Sequence, residues 1–304
     1  MACGQDARAT FPLGTPLPIP LASAVLKTVL DTIDGGSAWL EKQGVSDARR
    51  SMQLLVAHQL DCSRMDLYLQ FDRPLEEEHL APLREALRKR GEGVPLQHLL
   101  GSVEFHRREF RCDHRALIPR PETEELAELL LTELATDFPG RLLDLGCGSG
   151  VLGLTLAAER PEAEVVLSDI SPEALELAGE NAAALELPDV DFVESDLFSR
   201  IDGQFDAIVA NLPYVAETDR NSLAAEVRHD PELALFAGPD GLEVLRRAIP
   251  AAFARLRPGG LLALEIGHDQ ASQVADLLKQ SGFTDLTTAA DLSGIPRFPF
   301  ARKS

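Results

Sequence analysis

Residues 211–214 read Asn-Leu-Pro-Tyr and carry the most specific chemistry in this sequence. The side-chain oxygen of Asn211 and the backbone carbonyl of Leu212 can each accept one N–H of a planar NH2 group, which fixes where its nitrogen points. That nitrogen is a weak nucleophile because its lone pair is delocalised, so its attack on carbon depends on orientation. Pro213 keeps Leu212 extended, and Tyr214 can pack against the planar group. We predict that Asn211, Pro213 and Tyr214 are catalytic and that all four residues, Leu212 included, bind the acceptor.

A glycine-rich segment, Asp-Leu-Gly-Cys-Gly-Ser-Gly, occupies residues 144–150 between an apolar strand pattern and a helix pattern. Glycines permit a sharp turn and a close approach of ligand to backbone, and the helix N-terminus offers free N–H groups. The G-x-G-x-G spacing after an acidic residue is typical of S-adenosylmethionine sites, whereas a dinucleotide site would have its third glycine at Val151. We predict that S-adenosylmethionine, and its product S-adenosylhomocysteine, bind to Gly146, Cys147, Gly148, Ser149 and Gly150.

Two acidic residues follow the next two predicted strands. The carboxylate of Asp169 can accept two hydrogen bonds from ribose hydroxyls, and Asp196 could reach an adenine amino group. Each motif also has a purely structural alternative. Asp169 could cap the helix near Pro172, residues 195–198 could be a simple turn, the glycines could form a turn that binds nothing, and residues 211–214 could be a strand end with a proline turn.

Strand and helix patterns must bring these motifs together. From residue 119 onward they alternate, which predicts an α/β fold with a mainly parallel sheet covered on both faces. Ligands bind beyond the carboxyl ends of the strands in such sheets, where the motifs lie. The predicted strands are 141–145, 164–168, 190–194, 205–210, 260–266, 285–289 and 297–301, and the predicted helices are 122–134, 152–159, 172–185, 241–256 and 270–280.

The part before residue 119 is organised differently. Apolar residues from Leu21 to Ile33 recur at helical spacing, and Gly35-Gly36 is expected to end that helix. Ser46 is a candidate N-cap for a second helix, and an acidic turn at 76–78 begins a third. Residues 1–20 are proline-rich and are predicted to be a disordered leader, or alternatively an arm that caps the first helix. The predicted divisions are a leader at 1–20, a helical domain for substrate recognition at 21–92, a linker with a β-hairpin at 93–118, and a methyltransferase domain at 119–304.

Composition restricts the partners. The net charge of −20 disfavours free nucleic acid as a substrate. Residues 84–120 are an exception, with nine Lys or Arg against five acids, and are either solvated faces or a partner-facing patch. The rest of the chain is more acidic still, which would suit a basic protein partner. No apolar run reaches the roughly 18–20 residues of a membrane span. The four cysteines are widely separated, which predicts neither a metal site nor disulfides and favours the cytoplasm.

The whole set of motifs resembles the PrmC/HemK family of glutamine methyltransferases, most closely the branch that acts on peptide chain release factors. The resemblance runs from about residue 21 to the end. It is carried by the glycine-rich loop, residues 211–214 and the following segments: Cys-Ser-Arg at 62–64, Leu-Tyr-Leu at 67–69, Phe-Asp-Arg-Pro-Leu at 71–75, Pro-Leu-Gln at 95–97, Gly101, Glu-Phe at 104–105, Leu-Ile-Pro-Arg-Pro-Glu-Thr-Glu at 117–124, Glu-Val-Arg at 226–228, Pro231, Leu235, Gly-Leu at 241–242 and Leu-Arg-Pro-Gly-Gly at 256–260.

The resemblance implies a seven-stranded Rossmann-like methyltransferase sheet with a small N-terminal helical domain that helps dock a class I release factor. The acceptor would be the glutamine of a Gly-Gly-Gln loop, methylated on its side-chain nitrogen by a monomeric enzyme without a metal or a covalent intermediate. No base is needed before attack, since the proton can leave once the nitrogen is cationic. By the same resemblance, Leu197 flanks the adenine, Asn211 touches both substrates, and residues 119–123 line the methionine end.

One departure from the family pattern leaves alternatives open. The family usually has Asn-Pro-Pro-Tyr, and Leu212 replaces the first proline. Because that position supplies a backbone carbonyl, we expect a loss of rigidity and not of chemistry. Asn-Leu-Pro-Tyr also occurs in methyltransferases that modify adenines of small-subunit ribosomal RNA. The alternatives are therefore a glutamine methyltransferase for a ribosomal protein, an adenine methyltransferase, and a cofactor-binding protein without catalysis, which the intact Asn211, Pro213 and Tyr214 oppose.

Overall fold

The structure is a computed structural model that describes residues 27–304. These residues form two compact units that divide between Leu100 and Gly101. The predicted leader at 1–20 and the start of the first predicted helix at residue 21 lie outside the described residues. None of the helices within 27–304 is long and apolar enough to cross a bilayer.

The N-terminal unit is a small helical bundle. Two short strands, β1 (Lys27–Thr28) and β2 (Pro74–Leu75), pair antiparallel and so join the start of the first helix to the start of the third. The elements are β1 (Lys27–Thr28), α1 (Val29–Lys42), α2 (Ala48–Gln59), a 3-10 turn (Asp66–Leu69), β2 (Pro74–Leu75), α3 (Glu77–Gly91) and α4 (Leu96–Leu100). Their apolar faces share one core, which includes Val29, Ile33, Met52, Val56 and Leu87.

The structure corrects three of the predictions for this unit. The first helix, predicted from residue 21, begins at Val29 with Thr28 as its N-cap, because Lys27–Thr28 pair as a strand. Gly35-Gly36 does not end the first helix, because α1 continues through both residues to Lys42. Gly36 faces α2, and a Cβ atom there would lie 2.5 Å from Cε of Met52, so glycine permits close helix packing at this point. Ser46 is not the N-cap of α2, since Asp47 occupies that position and makes no side-chain capping bond.

The C-terminal unit contains a hairpin and a large sheet. The strands of the hairpin, β3 (Ser102–Phe105) and β4 (Arg108–Arg111), place Phe105 and Phe110 edge to face in the core, which confirms the predicted hairpin. The remaining elements are α5 (Pro121–Glu133), β5 (Arg141–Leu145), α6 (Val151–Glu159), β6 (Glu164–Asp169), α7 (Pro172–Ala184), β7 (Val190–Glu194), β8 (Phe205–Asn211), α8 (Glu243–Arg255), β9 (Leu256–Glu265), α9 (Ala271–Gln280), β10 (Phe283–Ala290) and β11 (Pro296–Lys303).

The large sheet has seven strands in the order β10-β11-β9-β8-β5-β6-β7. The pairs from β9 to β7 are parallel, and β11 is antiparallel to both of its neighbours. The predicted fold class, an α/β protein with a mainly parallel seven-stranded Rossmann-like sheet, is thereby confirmed. Helices cover both faces, so the central strands bury successive side chains on opposite sides. In β8, Ala207 and Val209 enter one core, whereas Ile208 and Ala210 enter the other.

Candidate active site

A cavity of about 450 Å³ lies in the C-terminal unit, where strands β5, β6 and β8 end. Its lining contains most of the residues that the sequence singled out. Gly146, Cys147, Gly148, Ser149, Asp169, Asp196, Leu197, Asn211, Leu212 and Pro213 all line it. Two predicted residues do not. Gly150 is the N-cap of α6 and faces Leu154, and Tyr214 is half-buried outside the cavity lining, where its backbone carbonyl accepts a hydrogen bond from Gln270.

The glycine-rich loop is held by the neighbouring strand. The backbone N–H groups of Gly146 and Cys147 both donate to the carbonyl of Ser168 at the end of β6, at 2.8 and 2.9 Å. Gly146 has a φ of +74°, and a Cβ atom there would lie 2.7 Å from Cδ2 of Leu212. Both the backbone conformation and the close approach of Leu212 therefore require glycine. The two sequence motifs of the site meet at this contact.

Asp144 places a buried carboxylate in the cavity wall. Its side chain is 1% exposed, and its Oδ2 accepts a hydrogen bond from the backbone N–H of Gly153 at 2.8 Å. Its Oδ1 has no hydrogen-bond partner among residues 27–304. Burial raises the pKa of Asp144 to about 7. An unsatisfied carboxylate oxygen in a cavity wall is suited to a cationic N–H donor, and S-adenosylmethionine carries one in its amino-acid end. The residues present therefore fit this cofactor.

Asp169 and Asp196 lie at different positions in the cavity wall. Oδ1 of Asp169 accepts the N–H of Ser171 and Oδ2 accepts that of Gly148, each at 2.9 Å, while burial raises the pKa of the carboxyl group. Asp169 is not the cap of α7, because Ser171 holds that position. Each oxygen of Asp169 keeps a lone pair for a ligand hydroxyl. Asp196 lies at an exposed edge and is paired with Arg247 at 2.7 Å.

Asn211 is held by two side chains that motif reasoning did not place in the catalytic set. Its Nδ2 donates to Oγ1 of Thr123 at 3.0 Å, and that hydroxyl donates to Oε2 of Glu265 at 2.7 Å. Burial raises the pKa of Glu265 to about 7. Asn211 and Glu265 are register partners at the ends of β8 and β9. Burial, and secondarily the charge of Glu265, raise the pKa of Tyr214 to about 12.

A buried ion pair connects two loops of the cavity wall. The side chain of Asp230 is 0% exposed, accepts the backbone N–H of Ile118 at 3.0 Å and pairs with Arg120 at 2.6 Å. It therefore joins the segment before α5, which contributes Pro119 to the cavity, to the loop that contributes Leu233. No local sequence pattern points to Asp230, because Ile118 and Arg120 lie about 110 residues earlier.

The basic stretch at 84–120 is largely neutralised by nearby acids, which favours solvated faces over a partner-facing patch. Seven of its nine basic residues form ion pairs, and Arg90 is buried and donates to the carbonyl of Val94. The seven are Arg84, Arg88, Lys89, Arg108, Arg111, Arg115 and Arg120.

This sheet, its glycine-rich loop and the Asn-Leu-Pro-Tyr segment at the end of β8 together define an S-adenosylmethionine-dependent methyltransferase. Two family descriptions match the chain: "Methyltransferase small domain" over residues 120–238 and "PrmC N-terminal domain" over residues 31–101.

The chain belongs to the family of release factor glutamine methyltransferases. It is 42% identical to the release factor glutamine methyltransferase of Deinococcus radiodurans, over 90% of this chain and 98% of that one. It is 38% identical to the enzyme of the same name from Koribacter versatilis, over 91% of this chain and 99% of that one. The solved 16S rRNA N2 G1207 methyltransferase of Thermus thermophilus has 24% identity and a TM-score of 0.50, covering 67% of this chain and 50% of that one, and shows the shared fold.

Proposed function

We propose that this protein transfers a methyl group from S-adenosylmethionine to the side-chain amide nitrogen of the glutamine in the Gly-Gly-Gln loop of a class I peptide chain release factor. The observation that carries the proposal is the orientation of Asn211, whose NH2 group is bound to Thr123 inside the wall. The acceptor oxygen of Asn211 is thereby left for a ligand. Family membership supports glutamine of a release factor as the substrate, because the relatives from Deinococcus radiodurans and Koribacter versatilis carry that name.

The cavity residues have separate tasks in this proposal. Bound S-adenosylmethionine supplies a methyl group on a sulfonium, a carbon that an amide nitrogen can attack in line. Asp144 and the loop from Gly146 to Ser149 would hold its amino-acid end, and Asp169 would hold its ribose. The side-chain oxygen of Asn211 and the carbonyl of Leu212 would accept the two N–H bonds of the glutamine amide. Pro213 fixes the chain that carries this carbonyl, and Tyr214 would support the segment from outside the cavity lining.

The same proposal includes the working context of the enzyme. The N-terminal unit would be a recognition domain for the release factor, in accord with its match to the PrmC N-terminal domain over residues 31–101. A net charge of −20 supports a protein substrate over free nucleic acid. We propose a monomer that acts in the cytoplasm.

A methyl-transfer assay tests the proposal. The purified protein is incubated with labelled S-adenosylmethionine and a release factor that carries Gln or Ala in its Gly-Gly-Gln loop. Asn211→Ala is expected to lower turnover at least about 100-fold, because the acceptor is no longer oriented, while cofactor affinity is largely kept. Asn221→Ala, which removes an asparagine outside this cavity, is the matched control. Parallel incubations contain ribosomal protein or purified ribosomal RNA. Label transfer to either of these, or to the Ala loop, instead of the Gln loop would refute the proposed substrate. Equal turnover by Asn211→Ala and the wild type would remove Asn211 from the mechanism.

A further inference from the structure

Thr123 and Glu265 form a hydrogen-bonded row with Asn211 that extends inward from the cavity wall. Thr123 is 4% exposed at the start of α5, and Glu265 is 2% exposed at the end of β9. The row runs from Nδ2 of Asn211 to Oγ1 of Thr123 at 3.0 Å and from there to Oε2 of Glu265 at 2.7 Å. The Asn211 side chain also interacts directly with the Glu265 carboxylate and, as a minor cause, lowers its pKa. Of the three side chains, Thr123 and Asn211 line the cavity, whereas Glu265 does not.

The direction of these hydrogen bonds follows from the number of protons available. A threonine hydroxyl has one proton, and an ionised carboxylate can only accept. While Glu265 is ionised, Thr123 must donate to it, so the hydroxyl oxygen can only accept from Asn211. Asn211 must therefore turn its NH2 group inward and its Oδ1 away from Thr123. If the Asn211 amide were rotated by half a turn, its NH2 group would face the NH2 group of the acceptor glutamine. These two groups are both donors and could not form a hydrogen bond with each other.

We propose that Thr123 and Glu265 are positioning residues that select the orientation of the Asn211 amide in which its oxygen is presented to the acceptor glutamine. This proposal rests on the function proposed above, since it concerns the same acceptor. Thr123 is bonded to Asn211 and Glu265 lies outside the cavity lining, so both act through Asn211. Their effect is to make one of two nearly isosteric amide orientations the stable one.

Protonation of Glu265 reverses the direction of the hydrogen bonds in this row. A neutral Glu265 can donate to Oγ1 of Thr123, which then is free to donate to the oxygen of Asn211, and the amide turns its NH2 group outward. The charged and titratable groups that face Glu265 are Glu122 from α5, Arg297 from β11 and the phenol of Tyr214 after β8. Burial is the largest cause of the raised pKa of Glu265, at about 7, and it outweighs the opposing charge of Arg297. Methyl-transfer activity should therefore be present above a pH of about 7 and should fall as the pH decreases through that value.

The first test measures kcat at saturating cofactor between pH 5.5 and 8.5, together with cofactor affinity by calorimetry. The wild type should lose kcat below a midpoint near the pKa of about 7. Glu265→Gln has no ionisation and should lose this pH dependence. Thr123→Val should lower kcat about 10- to 100-fold by loosening the acceptor, and Thr123→Ser should restore kcat. Because Thr123 lines the cavity, calorimetry separates any change in cofactor affinity from the change in kcat. Thr155→Val, which removes a buried hydroxyl without a hydrogen-bond partner among residues 27–304, is the matched control.

A second measurement needs no release factor. The side-chain NH2 resonances of Asn211 should shift with the same midpoint as the carboxyl carbon of Glu265 in the wild type. They should shift less in Thr123→Val, which keeps only the direct Asn211–Glu265 contact, and should not shift in Glu265→Gln. If this coupling is found but no glutamine is methylated, the proposed function fails and the positioning role stands. If methylation occurs while Thr123→Val matches Thr155→Val in kcat, or the two resonances titrate independently, the positioning role is refuted.

Discussion

Replacing Asp144 by Asn should make the ligand-free protein more stable and a poorer binder of its cofactor. Asp144 is buried, one of its oxygens has no partner among residues 27–304, and burial raises the pKa of its carboxyl group from the ordinary 3.8 to about 7. The folded state therefore binds a proton more tightly than the unfolded state does. The free energy of unfolding must then fall as pH rises from about 4 to about 7 and stay at the lower value above that.

The size of this effect follows from the pKa. The full loss at pH 8 is about 4 kcal/mol, whereas at pH 5.5 it is about 2 kcal/mol, because only part of the interval from 3.8 has been crossed. Asn cannot ionise, so Asp144→Asn avoids this loss. Its NH2 group would take the place of the unpartnered oxygen at a cost of about 1–3 kcal/mol, which is the same at every pH. The stability difference between variant and wild type should therefore grow by about 2 kcal/mol in favour of the variant from pH 5.5 to pH 8.

Amide hydrogen exchange in strands β5 and β8 measures the free energy of opening the C-terminal unit without involving the other unit. It should be compared at pH 5.5 and pH 8 for the wild type, Asp144→Asn and the exposed control Asp276→Asn. Cofactor affinity by calorimetry should fall at least about tenfold in Asp144→Asn, since two N–H groups replace an acceptor for a cation. A stability difference that is equal at both pH values would show that Asp144 does not titrate in this interval and would refute the reasoning.

Two further substitutions test contacts in the cavity wall. Gly146→Ala forces a φ of +74° on alanine at a cost of about 1–2 kcal/mol and brings its Cβ to 2.7 Å from Leu212, so calorimetry should show cofactor affinity at least about tenfold weaker. Adding Leu212→Ala should recover only part of that loss, and full recovery would mean that the backbone conformation costs nothing. Asp230→Ala leaves the N–H of Ile118 without its buried acceptor, so exchange of that amide should accelerate about 10- to 100-fold, whereas the exposed Asp137→Ala should leave it unchanged. Unchanged exchange in Asp230→Ala would show that the two loops are joined by other contacts.

The large sheet could be predicted because each of its signals is local. An apolar run buried on both faces, a glycine after it and a helical repeat lie next to one another in the sequence, and the predicted helices of this unit end within two residues of the observed ones. The same local rule was wrong at Gly35-Gly36, where two glycines lie within α1. Their intrinsic cost in a helix is outweighed by the close packing of Gly36 on Met52, which belongs to a different helix and is invisible to a local rule.

The site divides in the same way between local and distant signals. Asp169 and Asn211 could be predicted because each ends a strand within a recognisable motif. Glu265 also ends a strand, but its relevance depends on β9 lying beside β8, and sheet order is not encoded in the spacing of residues. Thr123 lies in a stretch that the family resemblance assigned to the site, yet its bond to Asn211 joins residues 88 positions apart. An acidic residue at the end of any predicted parallel strand would have been the signal for Glu265.

Leu212 shows how a departure from a family motif can be compensated elsewhere in the site. The proline expected at this position would restrict the backbone directly, and leucine does not. Pro213 still restricts the conformation of Leu212 from the following position, and the side chain of Leu212 is 4% exposed within the apolar core of one sheet face. Part of the space it fills is that of the absent Cβ of Gly146. Burial of the leucine side chain thus fixes the backbone carbonyl of Leu212, which a proline ring at this position would otherwise fix. The leucine side chain fits here because residue 146 is glycine.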